Sequence, residues 1–199
     1  MSEDGGAAVP PITLGEISCA VAWNIRGDAA QSSFAGEAER LLGAPLPLEP
    51  NIGVRLAGKV LLWLGPRSWL FAGGTALPDH DFDTTRIALN AAGGALFDVS
   101  ASYVAWMIAG EGAVRVLNRG CPLDLHPSAF RVGQCAQSAL GHINALLYKS
   151  DARPAFIVMV ARSLAVDAWR DLCASATTDG YRIASPITIE AAPGGDNHD

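Results

Sequence analysis

The chain has 199 residues, of which 50% are hydrophobic and 17% are charged. This length and composition exclude bulk disorder and suffice for one large domain or two small fused units. A core of this size needs no disulfide or structural metal to be stable. The net charge of −6, from 20 acidic and 14 basic residues, disfavours nucleic acid and anionic membranes as partners, because both attract a positive surface.

The first part of the chain predicts a strand followed by a helix. Residues 1–13 are rich in glycine, alanine and proline, so we expect a mobile amino-terminal arm. Apolar residues alternate with small or polar ones over residues 17–25, which is the period of a half-buried strand. Asp28 and Gln31 have the spacing of a capping box. The helix that follows should end at Gly43, and its apolar stripe consists of Phe34, Ala38, Leu41 and Leu42.

The remainder of the first half predicts a hairpin, a helix and a strand. Prolines exclude regular helix from residues 45–50. Residues 60–64 and 69–71 are apolar runs separated by a Gly-Pro-Arg-Ser turn, which indicates a hairpin. A helix over about residues 79–92 and a strand over residues 95–99 follow, separated by two glycines.

The second half repeats this order. Its predicted strands cover residues 103–109, 134–140, 142–149 and 156–160, and the second and third form a hairpin around Gly141. One helix begins after Gly112. Another is expected to be capped by Ser163 and to bury Val166, Trp169 and Cys173. The residues from Ala191 onward predict a mobile tail.

An internal repeat links the two halves. Ile25-Arg-Gly-Asp-Ala29 and Ile108-Ala-Gly-Glu-Gly-Ala113 both form a strand-to-helix turn, and a hairpin and a second helix follow each of them. We therefore predict an α+β fold made of two β-α-β-β-α(-β) copies, the split β-α-β plan of ferredoxin-like units. The expected organisation is one compact domain over residues 14–190, with halves at about 17–100 and 101–176, and a mobile tail over residues 191–199.

Motifs that carry chemistry are absent from the sequence. Neither a Gly-rich phosphate loop nor a Gly-x-Ser-x-Gly nucleophile elbow occurs. Cys121, His126, Cys135 and His142 are the residue types that bind zinc, but no two cysteines lie within four residues of each other. We therefore expect this chain to bind no metal, flavin or nicotinamide and to be a poor candidate for an enzyme that acts on its own.

The sequence also predicts where the protein is found. The cysteines are scattered, and the amino-terminal residues show no export signal. The longest apolar run, residues 155–161, is too short to cross a bilayer. These features predict a soluble, reduced, cytoplasmic protein.

The segment from Gly120 to Gln137 is the most distinctive stretch. Two prolines exclude regular helix, and Asp124 is expected to form an Asx-turn by accepting a backbone N–H two residues on. Leu123, Leu125 and Phe130 are too apolar for a solvated loop, so they should pack on the chain's own core or on a partner.

This segment resembles the signature of the gamma subunit of heterotetrameric sarcosine oxidase. The resemblance rests on Gly120-Cys-Pro-Leu-Asp-Leu-His-Pro127, on Phe130 and on Gly133-Gln-Cys-Ala-Gln137. It extends over about residues 17–176. Supporting matches are Arg26-Gly-Asp28, Leu64-Gly-Pro66, Trp69-Leu70, Asp98-Val-Ser100, Ala161-Arg-Ser163 and Trp169.

The resemblance implies a non-catalytic subunit with a fold similar to the folate-binding domain of aminomethyltransferases. It implies alpha, beta and delta subunits as partners, with FAD, FMN, NAD, tetrahydrofolate and zinc bound there. The complex of that family oxidises sarcosine to glycine, forms hydrogen peroxide and passes the one-carbon unit to tetrahydrofolate or releases it as formaldehyde. Two alternatives stay open, namely a subunit of a related complex acting on another N-methyl amine or amino acid, and a free-standing folate-binding, aminomethyltransferase-like domain.

Within the implied complex, we expect the Cys121–Gln137 segment to be ordered and to lie at or beside a subunit contact. Arg115 and Arg119 are one helical turn apart and are expected to pair with carboxylates across that contact. His126 is expected to be a hydrogen-bonding loop residue. The full set of expected interface residues is Arg115, Arg119, Leu123, Asp124, Leu125, His126 and Phe130.

Overall fold

The computed structural model describes residues 12–56, 58–74 and 81–189. In this part of the chain, strands form two sheets and α-helices cover them. The strands are β1 (Ile12–Ser18), β2 (Val21–Arg26), β3 (Gly53–Leu56), β4 (Lys59–Gly65), β5 (Ser68–Gly73), β6 (Ala95–Asp98), β7 (Tyr103–Ala109), β8 (Cys135–Leu140), β9 (Ile143–Asp151), β10 (Ala155–Ala161) and β11 (Tyr181–Thr188). The helices are α1 (Ser32–Leu42), α2 (Phe82–Ala91), α3 (Ala113–Asn118) and α4 (Ala165–Thr177).

Each sheet contains the strand order of a ferredoxin-like unit. One sheet has the order β3-β4-β5-β2-β6, and the other has the order β8-β9-β10-β7-β1-β11. In these orders β2 corresponds to β7, and β6 corresponds to β11. The additional strand β1 is inserted between β7 and β11 in the second sheet, antiparallel to β7 and parallel to β11. The predicted α+β fold with duplicated ferredoxin-like units is confirmed. Each copy has three strands between its helices, where the β-α-β-β-α plan has two. The third strand was predicted in the second copy, at residues 156–160, but not in the first.

The buried side chains form three layers. One layer lies between the two sheets and includes Ala22, Leu70 and Met107. A second layer packs α1 and α2 on the outer face of the five-stranded sheet, where the rings of Phe34 and Trp69 lie 6.1 Å apart. The third packs α3 and α4 on the outer face of the six-stranded sheet. The molecule is therefore layered helix, sheet, sheet, helix.

The single strand predicted over residues 17–25 is two strands in two different sheets. β1 ends at Ser18 and joins the six-stranded sheet, whereas β2 begins at Val21 and joins the five-stranded sheet. An alternation of apolar and polar residues indicates that one face of a strand is buried, but it does not indicate which sheet the strand joins. β1 also begins at Ile12, so Ile12 and Thr13 are strand residues rather than part of the predicted arm. Residues 1–11 and 190–199 lie outside the described residues.

Two predicted helix caps are wrong. Asp28 Oδ1 accepts the N–H of Ala30 at 3.1 Å in a turn of its own, because α1 starts only at Ser32. Ser163 lies in a 3₁₀ turn before α4 and forms no side-chain cap. The predicted start of α2 near residue 79 also lies outside the described part, and Asp81 caps the observed helix by accepting the N–H of Asp83 at 2.7 Å.

The buried face of α4 agrees only in part with the predicted one, since Trp169 and Cys173 are partly buried against the outer layer but are not the residues that the helix buries most. The helix buries Ala168, Leu172 and Ala176, a stripe with a spacing of four residues, while Val166 is 62% exposed. Small alanines at the contact allow the helix to lie close to the sheet. By contrast, α1 buries the four predicted residues and ends at Gly43 with φ of 78°, as predicted.

The predicted hairpins of both halves are confirmed as β4–β5 and β8–β9. The edge strands β3 and β11 were not predicted, because their residues lack a strong period-2 pattern. Among the described helices, none is long and apolar enough to cross a membrane.

Candidate subunit interface

The loop between α3 and β8 is held in one shape by short-range hydrogen bonds. Asp124 Oδ1 accepts the N–H of His126 at 2.9 Å, which is the predicted Asx-turn. The N–H groups of Ala129 and Phe130 then donate to the carbonyl of His126 at 2.9 and 2.8 Å. Within the loop, the Asx-turn of Asp124 is therefore followed immediately along the chain by a helical turn.

His126 takes part in this local network. Its Nδ1 accepts the N–H of Ser128 at 3.3 Å and lies 2.7 Å from the Ser128 hydroxyl oxygen. Because Nδ1 accepts a backbone N–H, the ring proton of neutral His126 lies on Nε2. The side chain is exposed and hydrogen-bonded within the loop, in agreement with its expected role.

The apolar residues of the loop are directed into the chain's own core. Leu125 is fully buried and Phe130 is 7% exposed, and Leu123 packs against the same cluster. The Phe130 ring stacks 6.3 Å from that of Phe156 on β10. Of the two expectations for these side chains, core or partner, the structure supports the core for Leu125 and Phe130. The exposed side of the loop instead presents Asp124, His126 and Val132.

The side chain of Lys149, on β9, is hydrogen-bonded to the loop. It is only 2% exposed, and its Nζ donates to the Phe130 carbonyl oxygen at 2.9 Å and lies 5.8 Å from the centre of the Phe156 ring. Burial lowers the pKa of the Lys149 ammonium, because the charged form loses hydration. The Lys149 main chain also accepts from Gly133 and donates to Gln134, both at 2.9 Å. The role of Lys149 was not predicted from the sequence, although a lysine within a strongly apolar strand is a recognisable signal.

Arg115 and Arg119 have a carboxylate partner within this chain. Arg115 Nε donates to Asp179 Oδ1 at 2.6 Å, and Arg119 Nη1 lies 2.7 Å from Asp179 Oδ2. Arg119 also donates to the carbonyl of Ser175. The Arg115 guanidinium and, to a smaller extent, that of Arg119 hold the pKa of Asp179 below its usual value. Both arginines therefore join α3 to the end of α4 within this chain, and the expected pairing across a subunit contact stays a prediction.

The residues considered for zinc are not brought together. Cys135 lies in the layer between the sheets, where its thiol donates to the Trp63 carbonyl at 3.4 Å. Cys121 lies in the outer layer under α3 and contacts the Ser138 hydroxyl at 3.8 Å. Across residues 12–56, 58–74 and 81–189, no three His, Cys, Asp or Glu side chains are arranged to hold a metal ion.

Known sequences that are similar to this chain belong to the same family that the residues of the loop indicate. The model of the sarcosine oxidase, gamma subunit family matches residues 26–178. Sarcosine oxidase subunit gamma from Corynebacterium sp. strain U-96 is 30% identical over 142 residues, covering 70% of this chain and 67% of that protein. The subunit gamma from Corynebacterium sp. strain P-1 is 29% identical over 157 residues, covering 77% of this chain and 74% of the relative.

Solved structures extend the comparison to the fold. A chain of the heterotetrameric sarcosine oxidase from Corynebacterium sp. U-96, in complex with pyrrole 2-carboxylate, is similar with a TM-score of 0.77 and 26% identity, covering 87% of this chain and 88% of that one. Glycine cleavage system aminomethyltransferase T from Bartonella henselae has a TM-score of 0.60 at 14% identity, covering 89% of this chain and 48% of that one. The second likeness concerns the fold alone.

Proposed function

Because the chain belongs to the sarcosine oxidase gamma subunit family, we propose that it is the non-catalytic gamma subunit of a heterotetrameric sarcosine oxidase. Its partners are alpha, beta and delta subunits. The assembled enzyme oxidises sarcosine to glycine, reduces oxygen to hydrogen peroxide and transfers the one-carbon unit to tetrahydrofolate or releases it as formaldehyde. The observation that carries this proposal is the family match over residues 26–178.

In this proposal the other subunits hold the cofactors, namely FAD, FMN, NAD, tetrahydrofolate and zinc. The roles of the polar groups around the loop support a structural function for this chain. Asp124 forms a turn, Lys149 holds the Phe130 carbonyl and Asp179 pairs with two arginines. Each of these groups stabilises the fold, and none of them needs a bound substrate to explain its position.

The test is assembly with the partner subunits. The tagged chain is co-expressed with the alpha, beta and delta subunits of its own source and analysed by size exclusion and absorbance. We expect it to co-elute with a flavin-bearing complex that forms hydrogen peroxide with sarcosine. A chain that elutes alone, without flavin, would contradict the proposal.

A second measurement separates this function from the alternatives. The isolated chain should show neither flavin absorbance nor stoichiometric zinc, and tetrahydrofolate should produce no binding heat in calorimetry. Tight folate binding by the isolated chain would favour the aminomethyltransferase-like alternative. Oxidation of another N-methyl compound in preference to sarcosine by the complex would favour the related enzyme.

A further inference from the structure

The two sheets separate at one end of the molecule and leave an open cleft of about 610 Å³. Ala22 of β2 packs between the sheets, so Asn24 and Arg26, further along the same strand, lie on the same face. Tyr103 and Gln137 line the cleft from the opposite sheet. The layer between the sheets therefore changes from apolar to polar at this end.

Two neighbouring depressions extend the cleft into a trough. One, of about 410 Å³, shares Tyr103 and Gln137 with the cleft. The other, of about 530 Å³, shares Arg26 and Ser68 with it and reaches Gly94. We call the three together the inter-sheet trough. Each depression alone is in the size range of a small-molecule site, so the whole trough matches an extended polypeptide segment better than one small ligand.

The charge of the trough has one sign. Arg26 and Arg67 are the charged residues that line it, and no aspartate or glutamate does. Neither guanidinium forms an ion pair with a carboxylate of the described residues. In a chain with a net charge of −6, this local positive charge selects an acidic occupant.

Arg26 is held in position for such an occupant. Its Nε donates to Asn24 Oδ1 at 2.9 Å, and Asn24 Nδ2 donates in turn to the Ser68 hydroxyl at 3.1 Å. The guanidinium carbon lies 5.8 Å from the centre of the Phe97 ring, which is 50% exposed. The hydrogen bond at Nε and the aromatic ring already restrict this guanidinium. It therefore loses less conformational entropy than a mobile arginine when its remaining N–H groups bind a carboxylate.

Two glycines that line the end of the trough near Arg26 are required by the packing of the fold. A Cβ at Gly27 or Gly94 would lie 2.4 or 2.5 Å from the ring of Phe34 on α1. Packing of Phe34 thus requires glycine at both positions, of which Gly27 is buried and Gly94 is half-buried.

We propose that the inter-sheet trough docks an extended acidic segment of a partner subunit. The inference rests on the proposed function, since it assumes that this chain assembles with other subunits. Carboxylates of the segment pair with Arg26 and Arg67, an apolar side chain contacts Phe97, and the amides of Asn24 and Gln137 lie beside its main chain. The trough also gathers residues from Arg26-Gly-Asp28, Leu64-Gly-Pro66 and Asp98-Val-Ser100, which are far apart in the sequence.

The occupant is identified by photo-crosslinking in the assembled complex. Phe97 is replaced by p-benzoylphenylalanine, and the crosslinked peptides are sequenced by mass spectrometry. A crosslink to an acidic stretch of a partner subunit is the expected result. A crosslink to residues 1–11 or 190–199 of this chain, or the absence of any crosslink in an assembled complex, would overturn the inference.

Affinity gives the second test. Arg26→Ala combined with Arg67→Ala should weaken binding of this chain to its partners by about tenfold or more at low salt, and the difference should shrink as salt rises. Arg26→Lys should be intermediate, because it keeps the charge but loses the planar fork. Arg86→Ala, an exposed arginine on α2, is the matched control and should bind normally. Normal affinity of the double variant would overturn the inference, whereas failure of the unaltered chain to assemble would count against the proposed function itself.

Discussion

Lys149 and Phe130 are joined by a hydrogen bond of 2.9 Å from the buried Nζ to the main-chain carbonyl oxygen. The bond connects the carboxyl-terminal part of β9 to the loop that carries the family signature. A buried ammonium is costly unless it has a partner, and a buried carbonyl is costly without a donor. The two groups therefore stabilise each other, and the loop is fixed to the sheet at this point.

Replacing Lys149 with methionine should free the loop. The variant leaves the Phe130 carbonyl without its donor, so we expect a loss of about 1–3 kcal/mol in the free energy of unfolding. Denaturant unfolding of the isolated chain measures this loss, and hydrogen exchange should become faster around residues 128–134. Lys59→Met is the matched control, since Lys59 is the other lysine and is only partly buried. Equal stability of the two variants would show that the Lys149 bond contributes little.

Asp124→Ala should destabilise the isolated chain by about 1 kcal/mol, because a side-chain-to-backbone hydrogen bond is lost. Asp124→Asn keeps an acceptor oxygen for the His126 N–H and should retain most of the stability. Thermal melting of the two variants and the unaltered chain checks the difference. If the alanine and asparagine variants melt together, the Asx-turn is not what stabilises the loop.

The Asp179 cluster predicts a pH dependence. The folded-state pKa of Asp179 lies below its ordinary value of 3.8, so the pairing stabilises the fold fully above that value. The contribution is lost as the pH falls through the folded-state pKa. We expect Asp179→Asn to be less stable than the unaltered chain at pH 7, with the difference shrinking as the pH falls below about 3.8. A difference that is constant with pH would contradict the ion-pair account.

Arg119→Ala should lower the melting temperature of the isolated chain, because Arg119 binds both Asp179 and the Ser175 carbonyl. This outcome differs from the expectation from sequence, which was weakened assembly of a normally folded chain. Arg170→Ala, an exposed arginine on α4, is the control and should melt normally. An unchanged melting temperature together with poor assembly would instead indicate that Arg119 lies at a subunit contact.

Two glycine variants should have opposite effects. Gly27→Ala places a Cβ 2.4 Å from the Phe34 ring and should cost about 1–3 kcal/mol through overpacking. Gly36→Ala lies within α1, meets no atom within 4 Å and should stabilise the chain by about 0.5–1 kcal/mol. Denaturant unfolding of both variants checks the signs. Stabilisation by Gly27→Ala would contradict the close contact with Phe34.

Local features could be predicted from the sequence because local physics decides them. The turn at Asp124, the apolar stripe of α1 and the hairpins β4–β5 and β8–β9 each depend on residues a few positions apart. The internal repeat was visible for the same reason, since similar local patterns recur in the same order. The signature residues of the loop further indicated the family, which the comparisons then showed.

Long-range pairings were decided only by the tertiary structure. β1 crosses to the sheet of the other half, and Arg115 finds Asp179 at a separation of 64 residues. Lys149 becomes buried because the loop folds over it. No pattern along the chain specifies such partners, because the favourable energy appears only when distant segments are packed together and the entropy of closing the intervening chain has been overcome.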